Sequence, residues 1–128
     1  MAKKRISTGS PFERSAGYSR AMVCGDRCYV SGTTGYDYAT MIMPDDVAAQ
    51  TRNALATIDS ALAQAGFSMA DVVQARYYVA SRDDTPAVFE VLGEIFGEIR
   101  PAATMIIADL IEPQMKVEIE VVAEHERP

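Results

Sequence analysis

The most regular hydrophobic pattern of the chain lies near its end, between residues 115 and 123. Every second residue of this run is apolar, and the residues between them include two carboxylates, Glu118 and Glu120. Successive side chains of a strand point to opposite faces of a sheet, so the run predicts a strand with one apolar face and one face that carries the carboxylates. A second extended run over residues 102–108 precedes it, and the proline-containing connection predicts two strands joined by a short loop.

Two other segments have the three- and four-residue spacing of amphipathic helices. The longer helix is predicted to begin at Pro44-Asp45-Asp46 and to end before Gly66, with the apolar stripe Val47, Thr51, Ala54, Leu55, Ile58, Leu62 and Ala65. The second helix is predicted to have Thr85 as its N-cap, Pro86 in its first turn and Gly97 at its end. Its predicted stripe is Val88, Phe89, Leu92, Ile95 and Phe96.

The remaining β-prone segments lie on either side of the first helix. Residues 18–23 and 28–31 flank the turn-forming pair Gly25-Asp26 and predict an antiparallel hairpin. Residues 72–80 predict a further strand, with one face formed by Val73, Ala75, Tyr77 and Val79. Residues 5–7 are compatible with an edge strand, and no other element is predicted before residue 18.

The predicted element order is β-β-α-β-α-β-β in a single α+β domain covering residues 1–128. Because a helix between two strands is a crossover connection, both helices are expected on one face of a mixed four-stranded sheet. The opposite face would carry Arg76, Tyr78, Glu118 and Glu120. Such a half-polar face is either solvated or in contact with another subunit.

Composition narrows the classes of partner. With 18 acidic and 12 basic residues the net charge is −6, which disfavours broad electrostatic binding of nucleic acid. No apolar run reaches the roughly 20 residues needed to span a bilayer, so a cytoplasmic protein without membrane contact is expected. Cys24 and Cys28 are the only cysteines and His125 is the only histidine, so no metal and no cofactor is expected. The thiols are interpreted as structural, with a redox pair as the alternative.

Several motifs between residues 18 and 123 resemble those of one family. They are Ser31-Gly32, residues 46–55, Ala70-Asp71-Val72-Val73, Arg100-Pro101-Ala102 and residues 117–123. On these motifs the chain resembles the Rid family, also called the YjgF or L-PSP family. The resemblance implies a chorismate-mutase-like fold and a homotrimer whose sheets form a central barrel, with a ligand cleft between neighbouring subunits. It also implies hydrolysis of reactive enamines and imines, made from amino acids by pyridoxal-phosphate enzymes, to 2-keto acids and ammonia.

One departure from the family pattern concerns the substrate. The family clamps the substrate carboxylate with the arginine of a Pro-Ala-Arg-Ser/Thr motif, and in this chain the matching position is Ala103. A guanidinium donates two charge-assisted hydrogen bonds to a carboxylate, whereas a methyl group donates none. The resemblance therefore implies the same cleft with a different class of ligand. Arg100, Arg20 and Arg76 are the alternatives for a replacement cation.

The other site residues come from the same resemblance. The predicted ligand-binding residues are Tyr18, Ser31, Gly32, Phe89, Ala103, Thr104 and Met105. Phe89 and Met105 stand where the family often has an asparagine and a cysteine, which makes the pocket less polar. Thr104, together with Tyr18 and Ser31, is expected to orient the substrate.

Glu120 matches the family glutamate that positions the hydrolytic water and is the predicted catalytic residue. The alternative is an ion pair between Glu120 and Lys116, Arg76 or a cation of a neighbouring subunit. Glu118 is interpreted as structural. The segment of residues 31–38, with its two glycines and two tyrosines, is interpreted either as a tightly packed loop or as a ligand contact.

Three function hypotheses follow. The first is a deaminase or hydrolase that acts on imine- or enamine-type metabolites lacking the usual carboxylate. The second is a noncatalytic trimer that binds a small metabolite or regulates a partner. The third, endoribonuclease activity, agrees least with the acidic charge and with the absence of an internal histidine.

Overall fold

The computed structural model describes residues 3–126. Its strands are β1 (Lys3–Ile6), β2 (Ala21–Cys24), β3 (Arg27–Thr34), β4 (Val72–Val79), β5 (Ala102–Ile107) and β6 (Val117–Glu124). Its α-helices are α1 (Pro11–Ala16), α2 (Val47–Gln64) and α3 (Thr85–Phe96), with short 3₁₀ turns before β4 and α3. The predicted order is present, the edge strand considered at residues 5–7 corresponds to β1, and helix α1 is added between β1 and β2.

The strands form one mixed sheet in the order β1-β2-β3-β6-β4-β5. β4 and β5 are parallel, as expected for strands joined by a helical crossover, and the other pairs are antiparallel. The described sheet has six strands rather than the predicted four, because both hairpin arms join it and β1 pairs with β2. Helix α2 packs on β3 and β6 and against α3, so the two long helices lie on one face as predicted.

Strand β6 lies between β3 and β4 and supplies the centre of the core. Its alternate residues Val117, Ile119, Val121 and Ala123 are buried, whereas Glu118 and Glu120 are half-buried. The alternation predicted from the sequence is therefore confirmed. Helix α2 also begins as predicted, and the carboxylate of Asp46 accepts a hydrogen bond from the backbone N–H of Ala49 at 2.9 Å.

The predicted face of β4 is wrong at its first residue. The pairing of β4 with β6 shifts register between Val72 and Gln74, which marks a β-bulge. As a result Val72 is buried and Val73 is 46% exposed, although period-two counting puts Val73 on the buried face. Ala75 and Tyr77, which follow the bulge, are buried as predicted.

The predicted stripe of α3 also needs correction. Val88 and Phe96 are buried as expected, but the third buried residue is Val91, and Phe89 is 60% exposed. Val91 lies three residues after Val88 and so shares its helix face, whereas Phe89 is rotated about 100° away from Val88. Thr85 is the first helical residue rather than the N-cap.

Helix α1 was not predicted, although the sequence contains its boundary signals. Ser10 is the N-cap and its hydroxyl accepts a hydrogen bond from the N–H of Phe12 at 3.3 Å, Pro11 opens the first turn, and Gly17 ends the helix with φ 74°. With only six residues, the helix is too short to show helical periodicity. No helix within residues 3–126 is long and apolar enough to cross a membrane.

Candidate functional site

A cleft of about 480 Å³ opens where α1 meets β3 and β6. It is lined by Phe12, Ala16, Tyr18, Ser31, Gly32, Thr34, Tyr38, Ile111, Met115 and Glu118. Three of the predicted ligand-binding residues, Tyr18, Ser31 and Gly32, are therefore brought together. Aromatic and aliphatic side chains form most of the remaining wall.

The floor of this cleft is a distortion of β3 rather than the predicted loop. The pairing of β3 with β6 shifts register between Val30 and Thr33, so Ser31 and Gly32 lie in an irregularity of the strand. The hydroxyl of Ser31 donates to the carbonyl of Ser19 at 2.6 Å, and the hydroxyl of Thr33 donates to the carbonyl of Ser31 at 2.8 Å. These bonds fix Ser31 in place, and its hydroxyl proton is engaged in the hydrogen bond to Ser19.

Arg20 supports the floor from inside the protein. Its side chain is fully buried, and Nη1 donates to the carbonyl of Gly32 at 2.8 Å and to the hydroxyl of Thr33 at 3.0 Å. Its guanidinium lies 4.5 Å from the ring centroid of Tyr38 and 3.7 Å from the carboxylate of Glu13. Arg20 does not line the cleft, because its charge lies among these groups.

Glu118 is the carboxylate of the cleft wall. No residue within the described range 3–126 donates a hydrogen bond to it, and a Cβ atom on Gly32 would lie 2.2 Å from its Oε2 atom. Burial raises the pKa of Glu118, the negative charge of Glu120 raises it further, and the positive charge of Arg20 opposes both. A partly desolvated carboxylate without hydrogen-bond donors is suited to accept a proton from a bound molecule.

Glu120, the predicted catalytic residue, lies in a different environment. It lines an adjoining cleft of about 270 Å³ with Gly32, Tyr78, Ala108, Asp109, Leu110, Ile111 and Glu118. The hydroxyl of Tyr78 donates a hydrogen bond to Glu120, and this bond, with burial as a second cause, raises the pKa of Tyr78. Neither Arg76 nor Lys116 forms a salt bridge with Glu120 in the part of the chain that the structure describes. Tyr78 is its partner within the chain.

The other predicted ligand-binding residues line neither cleft. Phe89 lies on the exposed side of α3. Ala103, Thr104 and Met105 lie on β5, the outer strand of the sheet, where Ala103 pairs with Ala75 and Thr104 with Arg76. Ala103 and Thr104 are exposed and Met105 is half-buried.

The two tyrosines after β3 have different roles. Tyr36 is buried, its hydroxyl donates to the carboxylate of Glu112, and the amide of Gln114 donates to it at 2.9 Å. Tyr38 lines the cleft, and its hydroxyl accepts a hydrogen bond from the N–H of Thr34 at 3.0 Å. Tyr36 thus packs the loop, and Tyr38 is available to a ligand.

The thiols and the histidine lie outside both clefts. Both cysteines are free, and burial raises the pKa of the Cys28 thiol to about 11. The ring of His125 stacks on Phe67 with 3.8 Å between centroids. Among residues 3–126 no group of three or more His, Cys, Asp or Glu side chains is placed to hold a metal ion. A further cleft of about 490 Å³ lies between α2 and the segments around Ser7 and Tyr38, and its lining combines short polar side chains with Tyr36, Tyr38 and alanines.

A family model described as Endoribonuclease L-PSP matches residues 8–125. The chain belongs to the L-PSP family, also called YjgF or Rid. The resemblance found from its motifs is therefore confirmed. Among L-PSP relatives, an uncharacterised protein of Streptomyces coelicolor is 33% identical over 95% of this chain and 92% of its own length. A RutC family protein of Pyrococcus horikoshii is 32% identical over 83% of this chain and 85% of its own.

Solved structures of L-PSP proteins share the fold. A Mycobacterium tuberculosis protein, described as a member of the highly conserved YjgF/YER057c/UK114 family, is 44% identical and superposes with a TM-score of 0.89. That comparison covers 97% of this chain and all of the relative. The YjgF gene product of Escherichia coli is 26% identical, with a TM-score of 0.86 over 96% of this chain and 99% of its own. These likenesses confirm the predicted fold.

Sequence reasoning missed two features of the site. The first is the contribution of Phe12 and Ala16, whose signal was the Ser10-Pro11 start of α1. The second is Glu118, for which the sequence indicates a structural role and which lies on the cleft wall. Period-two alternation gives Glu118 and Glu120 the same face, and only the positions of β3 and β4 beside them distinguish the two carboxylates.

Proposed function

We propose that this L-PSP protein is a hydrolase of small imine- or enamine-type molecules that lack a carboxylate, with Glu118 as its catalytic base. The observation that carries the proposal is the Glu118 carboxylate itself, which faces the 480 Å³ cleft and receives no hydrogen bond from residues 3–126. Glu120 has Tyr78 as a donor and lines only the smaller cleft. The proposal therefore moves the water-activating role from Glu120 to Glu118.

The reaction requires one proton acceptor and a positioned water. Glu118 accepts a proton as the water oxygen bonds to the imine carbon and the π electrons of the C=N bond move to nitrogen. The protonated Glu118 then returns its proton to nitrogen. Glu118 then accepts the hydroxyl proton of the resulting carbinolamine and passes it to the amino nitrogen, so that the C=O bond forms as the C–N bond breaks and ammonia leaves. The balance is imine plus water to carbonyl compound plus ammonia.

The exclusion of carboxylate substrates has two supports. No arginine, lysine or histidine side chain lines either cleft in the described chain. Ala103 occupies the position of the family's clamping arginine, and its methyl side chain carries no charge. A substrate carboxylate would therefore be desolvated beside Glu118 without a counter-charge, which is costly.

The proposal places the protein in a reducing cytoplasm, which keeps the thiols of Cys24 and Cys28 free. It also includes a homotrimer in which β5 of one subunit completes the cleft of another. Its support is the outer strand β5, on which Ile106 is 47% exposed and Ile107 is 37% exposed. An uncovered apolar edge strand is unusual in a monomer. Light scattering on the purified protein should give three times the chain mass of 13.9 kDa. A monomer at micromolar concentration would contradict the shared cleft.

The activity is tested with imines generated in situ, by measuring ammonia release above the uncatalysed rate. We expect an imine without a carboxylate, formed from a primary amine by an amine oxidase, to be turned over faster than 2-aminoacrylate. Glu118→Gln should abolish the acceleration. Ala103→Arg should raise turnover of 2-aminoacrylate, because it restores the family clamp. Equal turnover of both substrates by the wild type would refute the assigned substrate class.

A noncatalytic binding function is the second candidate, favoured by the largely aromatic and aliphatic wall of the cleft. Ligand binding without any acceleration of imine hydrolysis would support it. Endoribonuclease activity, named in the description of the family model, is opposed by the three carboxylates that line the smaller cleft, Asp109, Glu118 and Glu120. RNA cleavage that requires Glu118 would reverse that judgement.

A further inference from the structure

We propose that the ligand of this cleft is a cation, such as an iminium or a substituted ammonium group, recognised jointly by Glu118 and the aromatic wall. The inference rests on the proposed function, since it names the class of molecule that the same cleft takes. It goes beyond the loss of the arginine, which accounts only for the rejection of carboxylates.

The lining of the ligand space is acidic. The two adjoining clefts share Gly32, Ile111 and Glu118, so a ligand at their junction meets both. Their ionisable acidic lining groups are Asp109, Glu118 and Glu120, and no cationic side chain in residues 3–126 lines either cleft. The junction therefore presents a net negative field.

Arg20 is a buried cation beneath the floor of the larger cleft. Glu13 lies 3.7 Å from the guanidinium and offsets its charge. Nη1 of Arg20 is already committed to Gly32 and Thr33, and the rings of Tyr18 and Tyr38 lie at 5.6 and 4.5 Å from the guanidinium carbon. Arg20 therefore does not supply the counter-charge that Glu118 lacks on its cleft side.

Aromatic rings provide a second means of recognising a cation. Phe12, Tyr18 and Tyr38 all line the larger cleft. Among the described residues Arg20 contacts the two tyrosines as a cation, and no cation lies over Phe12. The negative face of an aromatic ring attracts cations, and aromatic side chains recognise quaternary ammonium ligands in this way. Glu118 adds a carboxylate to the same cleft lining. Ile111 and Met115 add apolar surface for the substituents of the cation.

Binding of a cation would also assist the proton transfer to Glu118. Burial raises the pKa of Glu118 and the charge of Arg20 opposes this rise only in part, so the ionised form is incompletely compensated in the free protein. A bound cation supplies that compensation and stabilises the carboxylate that accepts the proton. A positively charged iminium carbon is also more electrophilic than a neutral imine carbon, so the site would select the more reactive form.

The test uses three probes of nearly equal shape and different charge. They are choline, which is cationic, its neutral carbon isostere 3,3-dimethylbutan-1-ol, and the anion 3,3-dimethylbutanoate. We expect calorimetry on the full-length protein to give about tenfold or more tighter binding of choline than of the neutral isostere, and no detectable binding of the anion. Choline that fails to bind, or binds no better than the neutral isostere, would overturn the proposal.

A variant separates this inference from the proposed function. Glu118→Gln should remove most of the preference for choline, whereas Glu98→Gln, the same change at an exposed residue of the α3–β5 connection, should retain it. If Glu118→Gln does not fold, the binding of the three probes to the wild-type protein still tests the proposal. Imine hydrolysis that depends on Glu118, observed without a preference for choline, would refute only the cationic ligand. A preference for choline without hydrolysis would refute only the enzyme.

Discussion

The carboxylate of Glu118 occupies the space that a side chain on Gly32 would need. A Cβ atom on Gly32 would lie 2.2 Å from Oε2 and 2.9 Å from Cδ of Glu118, closer than any real contact. Gly32 has no positive φ, so its backbone tolerates other residues, and the constraint is side-chain space alone. The glycine on β3 thus determines where the carboxylate on β6 can lie.

Gly32→Ala should therefore impair function far more than stability. The end of the flexible Glu118 side chain can move away, so we expect a loss of about 1 kcal/mol in unfolding free energy. Displacing the carboxylate by an ångström should lower kcat/KM about 100-fold. Urea unfolding and the ammonia assay measure the two effects. Gly93→Ala is the control, because a Cβ there meets nothing within 4 Å and should stabilise α3 without changing activity. Full activity of Gly32→Ala would mean that Glu118 is not the base.

Glu118→Gln should lower the activity and raise the stability of the protein at neutral pH. Loss of the base should lower kcat by about 10² to 10⁴-fold. The folded-state pKa of Glu118 lies above its ordinary value, so the stability linked to its proton is present below that value and is lost as pH rises through the folded pKa. Glutamine does not ionise, so the stability of the variant does not fall in this way as the pH rises. Its melting temperature should exceed that of the wild type at pH 7 to 8, and the difference should close as the pH falls below the ordinary range of glutamate.

Melting curves across this pH range are compared with those of Glu98→Gln, where no such trend is expected. A variant that is less stable than the wild type at pH 8 would show that Glu118 is a stabilising ion-pair partner instead.

Glu13→Gln should destabilise the fold and α1 in particular. Burial favours the neutral acid, but hydrogen bonds from Thr8 and Ser7 and the charge of Arg20 outweigh it, so the pKa of Glu13 lies below its ordinary value. Its stabilisation is present above the unfolded-state pKa and is lost as pH falls through the folded value. The substitution leaves Arg20 buried without its counter-charge, at a cost of about 3 kcal/mol in unfolding free energy. Glu94→Gln, which breaks the exposed pair with Arg52, is the matched control and should cost far less. Equal losses in the two variants would be inconsistent with a buried ion pair.

Gln50→Ala should loosen the connection between α2 and β6. Gln50 is fully buried, and its amide donates to the carbonyls of Pro44 and Gln114 at 2.8 and 2.9 Å while it accepts from the N–H of Lys116 at 2.9 Å. Removing it leaves backbone groups without partners and should cost about 3 kcal/mol by urea unfolding. Gln64→Ala, at an exposed position of the same helix, should change stability by less than about 0.5 kcal/mol. Amide exchange at Lys116 should rise only in the first variant.

Local sequence patterns predict the buried residues of some elements and not of others, and the difference has a physical cause. The core residues of α2 and β6 follow from local periodicity, because each element buries one regular face. The bulge beside Val73 depends on how β4 meets β6, which no local pattern records. The same holds for Arg20, whose polar side chain is buried only because Gly32, Thr33 and Glu13 converge on it from other segments. The sequence indicates a structural role for Glu118 for the same reason, because only the neighbouring strands β3 and β4 distinguish its surroundings from those of Glu120.

The alternation along β6 separates two kinds of evolutionary change. Val117, Ile119 and Val121 face the core, whereas the carboxylates between them face the clefts. A substitution at Glu118 or Glu120 changes the lining of the clefts and leaves the buried side chains of the strand untouched. Mutations at these two positions can therefore be sampled at little risk to folding, so a lineage can alter its clefts one codon at a time while keeping its scaffold.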